Sequence, residues 1–174
     1  MKPHIRAALR LTGAASAILS GFTCVAWPAS VDTDKNHHLS FYTIVSQSDG
    51  STKVSHLPLV PNLPGRACYG WRVKVSLSKE MVGFREVFSL PAAPKTWSGE
   101  NDPYAANAIT KDRTTSITER FETPQNGTIG NEWCVVEGDP LGKYRMEIHV
   151  AEEYLGTLDF ELVTPQDYDR ATSR

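Results

Sequence analysis

Tyr69-Gly70-Trp71-Arg72-Val73-Lys74-Val75-Ser76-Leu77 is the most informative stretch of this chain. Its odd positions are all large and apolar, and its even positions are small, basic or polar. In an extended chain successive side chains point to opposite faces, so this pattern buries Tyr69, Trp71, Val73, Val75 and Leu77 together. Wound at 3.6 residues per turn, the same residues would scatter around the whole helix surface. The stretch therefore reads as a half-buried β-strand.

Working outward, six more segments read the same way. Leu39, Phe41, Thr43 and Val45 alternate with Ser40, Tyr42, Ile44 and Ser46, and Ser48-Asp49-Gly50-Ser51 supplies turn chemistry. Phe84–Leu90 halts at Pro91, which has no N–H for a ladder. Thr114–Phe121 precedes Pro124 and the Asn126-Gly127 hairpin dipeptide. Glu132–Val136 ends at Gly138-Asp139-Pro140. Tyr144, Met146, Ile148 and Val150 alternate with polar residues, as do Leu158, Phe160 and Leu162. Strands with one wet face belong to antiparallel sheets, because parallel strands are buried on both faces. The expectation is an all-β, immunoglobulin-like antiparallel sandwich of about seven strands over residues 38–163. Charge also selects a register for the last hairpin. A three-residue loop at Ala151-Glu152-Glu153 opposes Arg145 to Asp159 and Lys143 to Glu161. A loop one residue later would oppose Glu147 to Asp159, a like-charge pair.

Upstream of the strands the chemistry changes. The first 26 residues hold Lys2, Arg6 and Arg10 and no acid, and Leu11–Val25 is uncharged. Cys24 and Ala26 stand at the −3 and −1 positions before Trp27, the layout of a secretory signal peptide over 1–26. The apolar run is about 15 residues, short of the roughly 20 that span a bilayer. Lipidation of Cys24 is a minor alternative, since Gly21 and Phe22 fit a lipoprotein signal poorly. Residues 27–37 then read as a linker and 164–174 as a polar tail. The other 148 residues carry 15 basic and 20 acidic side chains, so there is no basic field to hold nucleic acid. No later stretch reaches membrane length. The expected location is periplasmic or secreted. In that setting the two cysteines that remain after cleavage, Cys68 and Cys134, are expected to form a disulfide.

The runs Tyr69–Val75, Arg85–Pro91, Glu119–Glu122 and Glu132-Trp133 resemble a bacterial domain family of unknown function. The closing Gly138–Tyr144 stretch and the hairpin ending Asp159-Phe160-Glu161 are similar to the last strands of exported bacterial β-sandwich domains. The resemblance spans roughly residues 68–163 and implies fold rather than activity. It carries no catalytic residue over. Pro94–Arg113 stands outside it as an insertion.

No nucleophile elbow, phosphate loop, zinc-protease helix or calcium loop is present, and no cofactor or metal is expected. His37-His38 beside Asp34 reads as an exposed polar stretch and His149 as an outward strand residue. His56–Gly65, with Pro58, Pro61 and Pro64, reads as a rigid extended connector. Asn126-Gly127-Thr128 matches a glycosylation sequon, although the turn already accounts for it. The long loop Ala93–Arg113 is the feature packing does not explain, since loops of such length are functional or disordered. Its Trp97 and Tyr104 either plug the sandwich or contact a partner. The favoured function is an exported, non-enzymatic binding or structural module using Trp97 and Tyr104 toward an unknown protein or envelope component. The rival is a small exported hydrolase assembled from Glu100, Asp102 and a histidine. Intact-mass measurement of the exported protein should give a chain beginning at Trp27, and a mass retaining Met1–Val25 would exclude the leader.

Overall fold

The computed structural model describes residues 39–75, 81–98, 100 and 107–173. The proposed leader and linker lie outside these residues. Two sheets face each other across an aromatic core. The smaller contains β1 (Ser40–Ser46), β2 (Thr52–Ser55), β4 (Ala67–Lys74) and β8 (Thr128–Cys134), in the order β2-β1-β4-β8. The larger contains β3 (Leu59–Pro61), β5 (Val82–Ser89), β6 (Asn107–Ile109), β7 (Thr115–Glu122), β9 (Gly142–Val150) and β10 (Glu153–Val163), in the order β3-β10-β9-β5-β7-β6.

The seven longer strands are those that alternation predicts. The three extra ones are three or four residues long, too short for a period of two to register. One of them also corrects the wholly antiparallel expectation, because β3 runs parallel to β10. It lies within the proline-rich connector, and Pro61 is tolerated there because β3 is an edge strand. Strand β8 starts four residues earlier than expected, at Thr128. Gly130 hid that start, and its place in the ladder is a close approach: a Cβ there would lie 2.3 Å from the Trp71 carbonyl oxygen.

Alternation places the core. Tyr69, Trp71 and Val73 from one sheet meet Phe84, Phe88, Tyr144, Met146 and Phe160 from the other, all nearly inaccessible to solvent. Their rings pack at angles suited to aromatic quadrupoles. Trp71 meets Phe84 edge-on at 5.2 Å between centroids, and Phe41 stacks on Phe160 at 4.8 Å. The last hairpin takes the charge-selected register, with Arg145 opposite Asp159, Lys143 opposite Glu161 and Tyr144 opposite Phe160. It gets there differently. Ala151 and Glu152 form a two-residue turn at positive φ, and a bulge between Tyr154 and Gly156 restores the offset.

Beyond Val163 the polar tail is helical. Helix α1 (Pro165–Thr172) starts at Thr164, whose hydroxyl accepts the Asp167 N–H at 3.2 Å, with Pro165 in the first turn. Tyr168 is its buried residue. One apolar anchor in eight residues gives no helical periodicity to read.

Cys68 and Cys134 are joined by a disulfide. They are directly opposed on neighbouring strands, with Cα atoms 3.9 Å apart, on the outer face of the smaller sheet. In an immunoglobulin domain the bridge crosses between sheets; here it staples two strands of one sheet. It closes a 66-residue separation, a constraint worth about 4 kcal/mol in chain-entropy terms. Thiol labelling of the unfolded, unreduced protein should find neither cysteine. The double substitution Cys68→Ala, Cys134→Ala should lower unfolding free energy by about 2–4 kcal/mol. Two labelled sites, or unchanged stability, would contradict the staple.

Candidate functional site

Two features stand out on the inner faces: a sealed carboxylate and the clamped base of the long loop. Glu86 lies between Phe84 and Phe88 on β5, so strand alternation drives its side chain into the core with theirs. It is 0% exposed. One carboxylate oxygen accepts the indole N–H of Trp71. The other accepts the indole N–H of Trp133 at 2.8 Å and the side-chain amide of Asn131 at 3.1 Å. All three donors come from the opposite sheet. Burial pushes the Glu86 carboxyl above its usual range, and the three donors and Arg120 oppose that shift. This group holds structure together and is closed to substrate.

The loop base is elaborately tied. The Trp97 indole is 6% exposed and packs against Phe88 at 5.9 Å and Trp133 at 6.1 Å. Its N–H donates to the Arg113 carbonyl at 2.9 Å. Glu100 accepts from the Trp97 backbone N–H at 3.2 Å and takes both terminal nitrogens of the Arg113 guanidinium. Arg113 holds the Glu100 carboxyl below its usual range. The Asn107 amide donates to the Ser98 carbonyl at 3.2 Å, and the buried Thr118 hydroxyl donates back to the Asn107 oxygen at 3.0 Å. Arg113 itself sits at φ 62°, a conformation that costs a non-glycine residue about 1–2 kcal/mol.

This arrangement revises the sequence reading of Trp97. Its ring plugs the edge of the sandwich, so direct contact with a partner would require the loop to open. Tyr104 and Asp102 lie outside the described residues, as do His37 and His38. His56 Nδ1 lies 2.8 Å from the Phe41 carbonyl oxygen, and the His149 ring packs on Tyr154 at 5.3 Å. Of the carboxylate pair considered for acid–base chemistry, Glu100 is engaged by Arg113.

The outer face of the smaller sheet carries a polar trough. Tyr42 lies beside Gly70, where a Cβ would come 3.0 Å from its hydroxyl oxygen, and donates to Glu132 at 3.0 Å. Arg72 covers the Tyr42 ring at 4.4 Å. Burial, followed by the charge of Glu132, pushes the Tyr42 hydroxyl up to about 12. Ligand atoms of Cys68, Cys134 and Glu132 lie within 4.8 Å of one another. That spacing suits a metal, but the disulfide engages both sulfurs that would serve it. Among the described residues no helix is long and apolar enough to cross a membrane.

A two-sheet, all-β sandwich with its staple inside one sheet defines the class. The PM0630 beta sandwich domain family matches residues 39–163, and the chain belongs to it. An immunoglobulin-like protein from Pseudomonas aeruginosa is similar in structure at 15% sequence identity, covering 78% of this chain and 98% of its own, with a TM-score of 0.44. No curated protein matches.

Glu86→Gln turns one acceptor into a donor facing an indole N–H, so it should lower unfolding free energy by about 2–3 kcal/mol. The raised carboxyl pKa also fixes a pH trend. The folded state keeps this proton to higher pH than the unfolded chain, so the contribution of Glu86 is full below the ordinary glutamate range and declines as pH rises through the folded value. Denaturant titrations across pH should show the gap between the parent and Glu86→Gln narrowing as pH rises. A widening gap would mean that the three donors outweigh burial.

Proposed function

We propose that this chain is an exported, non-enzymatic binding module, with residues 1–26 as its leader and the sandwich as a rigid support for the 93–113 loop. The observation that carries this reading is the clamp at the loop base. A buried indole, a bidentate ion pair, one amide–backbone tie and one strained φ hold the two ends of a segment that a shorter connection could replace. Ordering a backbone residue costs about 1–2 kcal/mol, and such an outlay is characteristic of loops that present a surface. Tyr104 is the proposed contact residue and Trp97 the anchor that sets the loop's shape. The disulfide supports a periplasmic or secreted location. Glu100 supports binding over hydrolysis, because a carboxylate held ionised by arginine is a weak general base.

The test is capture from a periplasmic extract with the mature domain. Tyr104→Ala should lose the captured species while its melting temperature stays unchanged. Trp97→Ala should lose capture and melt lower, because it also removes a core contact. Undiminished capture by the double variant would place function away from the loop.

A further inference from the structure

Under the loop base, the packing of Trp97 leaves a crevice of about 180 Å³ between residues 94–98, β8 and the turn before β9. Tyr69, Phe88, Trp97, Trp133 and Asp139 line it. The four rings converge from different directions. Phe88 and Trp133 lie 5.4 Å apart at 40°, Trp97 and Trp133 6.1 Å apart at 75°, and Tyr69 and Phe88 6.1 Å apart at 62°. The carboxylate belongs to the loop that follows β8. Asp139 accepts the Val136 N–H at 3.0 Å through one oxygen. Among the described residues no lysine, arginine or histidine forms an ion pair with it; Lys95, the neighbouring base, lays its stem over Gly138. Burial raises the Asp139 carboxyl; burial also raises the hydroxyls of Tyr69 and Tyr144, with the Asp139 charge adding to it.

These surroundings select a ligand by chemistry. Ring faces carry negative quadrupole density and the carboxylate carries a negative charge, so an anion is repelled. A neutral apolar group would fit the rings but leave a half-buried charge without a counter-ion. A hard metal cation needs six or more oxygens, and the crevice offers one carboxylate. An organic ammonium satisfies both elements, since its methyl or methylene groups sit on aromatic rings and its charge meets Asp139. The volume is below the roughly 300 Å³ at which drug-sized sites begin, so it suits an ammonium head alone. We propose that this crevice binds a small organic ammonium ion, with Trp97 and Trp133 as its walls and the Asp139 carboxylate as its counter-ion. The proposal names a ligand class for the binding module and rests on the loop being a built feature. It does not depend on Tyr104.

The experiment titrates the mature domain with tetramethylammonium and choline, and with 3,3-dimethylbutan-1-ol as choline's uncharged isostere. Indole N–H shifts in NMR spectra and tryptophan fluorescence are the readouts. Saturable shifts at Trp97 and Trp133 are expected with the cations, and the neutral alcohol should bind about tenfold more weakly or worse. Asp139→Asn keeps an acceptor for the Val136 N–H, so it should melt like the parent while losing about tenfold or more in cation affinity. Equal binding of the neutral isostere, unchanged affinity in Asp139→Asn, or no saturable response to either cation would each overturn the proposal. Loss of cation binding with Tyr104-dependent capture intact would overturn the ammonium site alone. The reverse result would overturn the loop-contact reading alone.

Discussion

One carboxylate joins the two halves of this sandwich. Hydrophobic burial brings the sheets together but is non-directional and tolerates sliding between apolar faces. Glu86 adds direction. Its two oxygens accept from Trp71 on β4 and from Asn131 and Trp133 on β8, so β5 must lie across those two strands at a defined height. A buried polar cluster is worth having only if every member is satisfied, and here both indole N–H groups and the Asn131 amide nitrogen find a Glu86 oxygen. The indoles do double duty, since their rings also fill the core around Phe84 and Phe88. Slippage by one residue would turn Glu86 outward and leave three donors facing hydrocarbon. The large aromatic side chains thus supply both the bulk and the lock.

Much of this architecture is legible in the sequence because alternation is a local signal. Tyr69 through Val75 announced both the strand and its buried face, and the charges on Arg145, Asp159 and Lys143 announced the final register. The missing parts are those that local patterns do not carry. Strand β3 is three residues long and lies parallel to β10, about a hundred residues later, and nothing in Leu59-Val60-Pro61 names that partner. Nothing in its immediate neighbours, Arg85 and Val87, marks Glu86 as special. Its burial follows from the same alternation that places Phe84 and Phe88, and that was the signal available. The donors around it come from positions up to 47 residues away, a relation visible only in three dimensions.

The candidate site was half legible. Loop length marks Ala93–Arg113 as unusual, and Trp97, expected there as a plug or a partner contact, packs inward against Phe88 and Trp133. The Glu100–Arg113 pair spans the loop from near one end to the other, and no spacing rule foretells it. Asp139 carries only a turn signal in the sequence, within Gly138-Asp139-Pro140. Its side chain does serve the turn through Val136, yet it also faces a ring-lined crevice that exists only because a segment some forty residues earlier folds back on it. Sequence showed which pieces were atypical, and tertiary packing decided which of them meet.

The position of the disulfide has a mechanical consequence. Joining Cys68 to Cys134 makes a covalent ring, and Trp71, Glu86, Asn131 and Trp133 all lie inside it. A pull applied at the chain ends passes from β4 to β8 through the sulfur bridge and never along the enclosed segment. Strands β5, β6 and β7 cannot be drawn out in line, and the extended chain is shorter by roughly 220 Å than an unbridged one. Tension could peel β1, β2, β9 and β10 from the sandwich while the residues that pin the sheets remain tethered to one another. Refolding after such a pull would begin with that ring still closed.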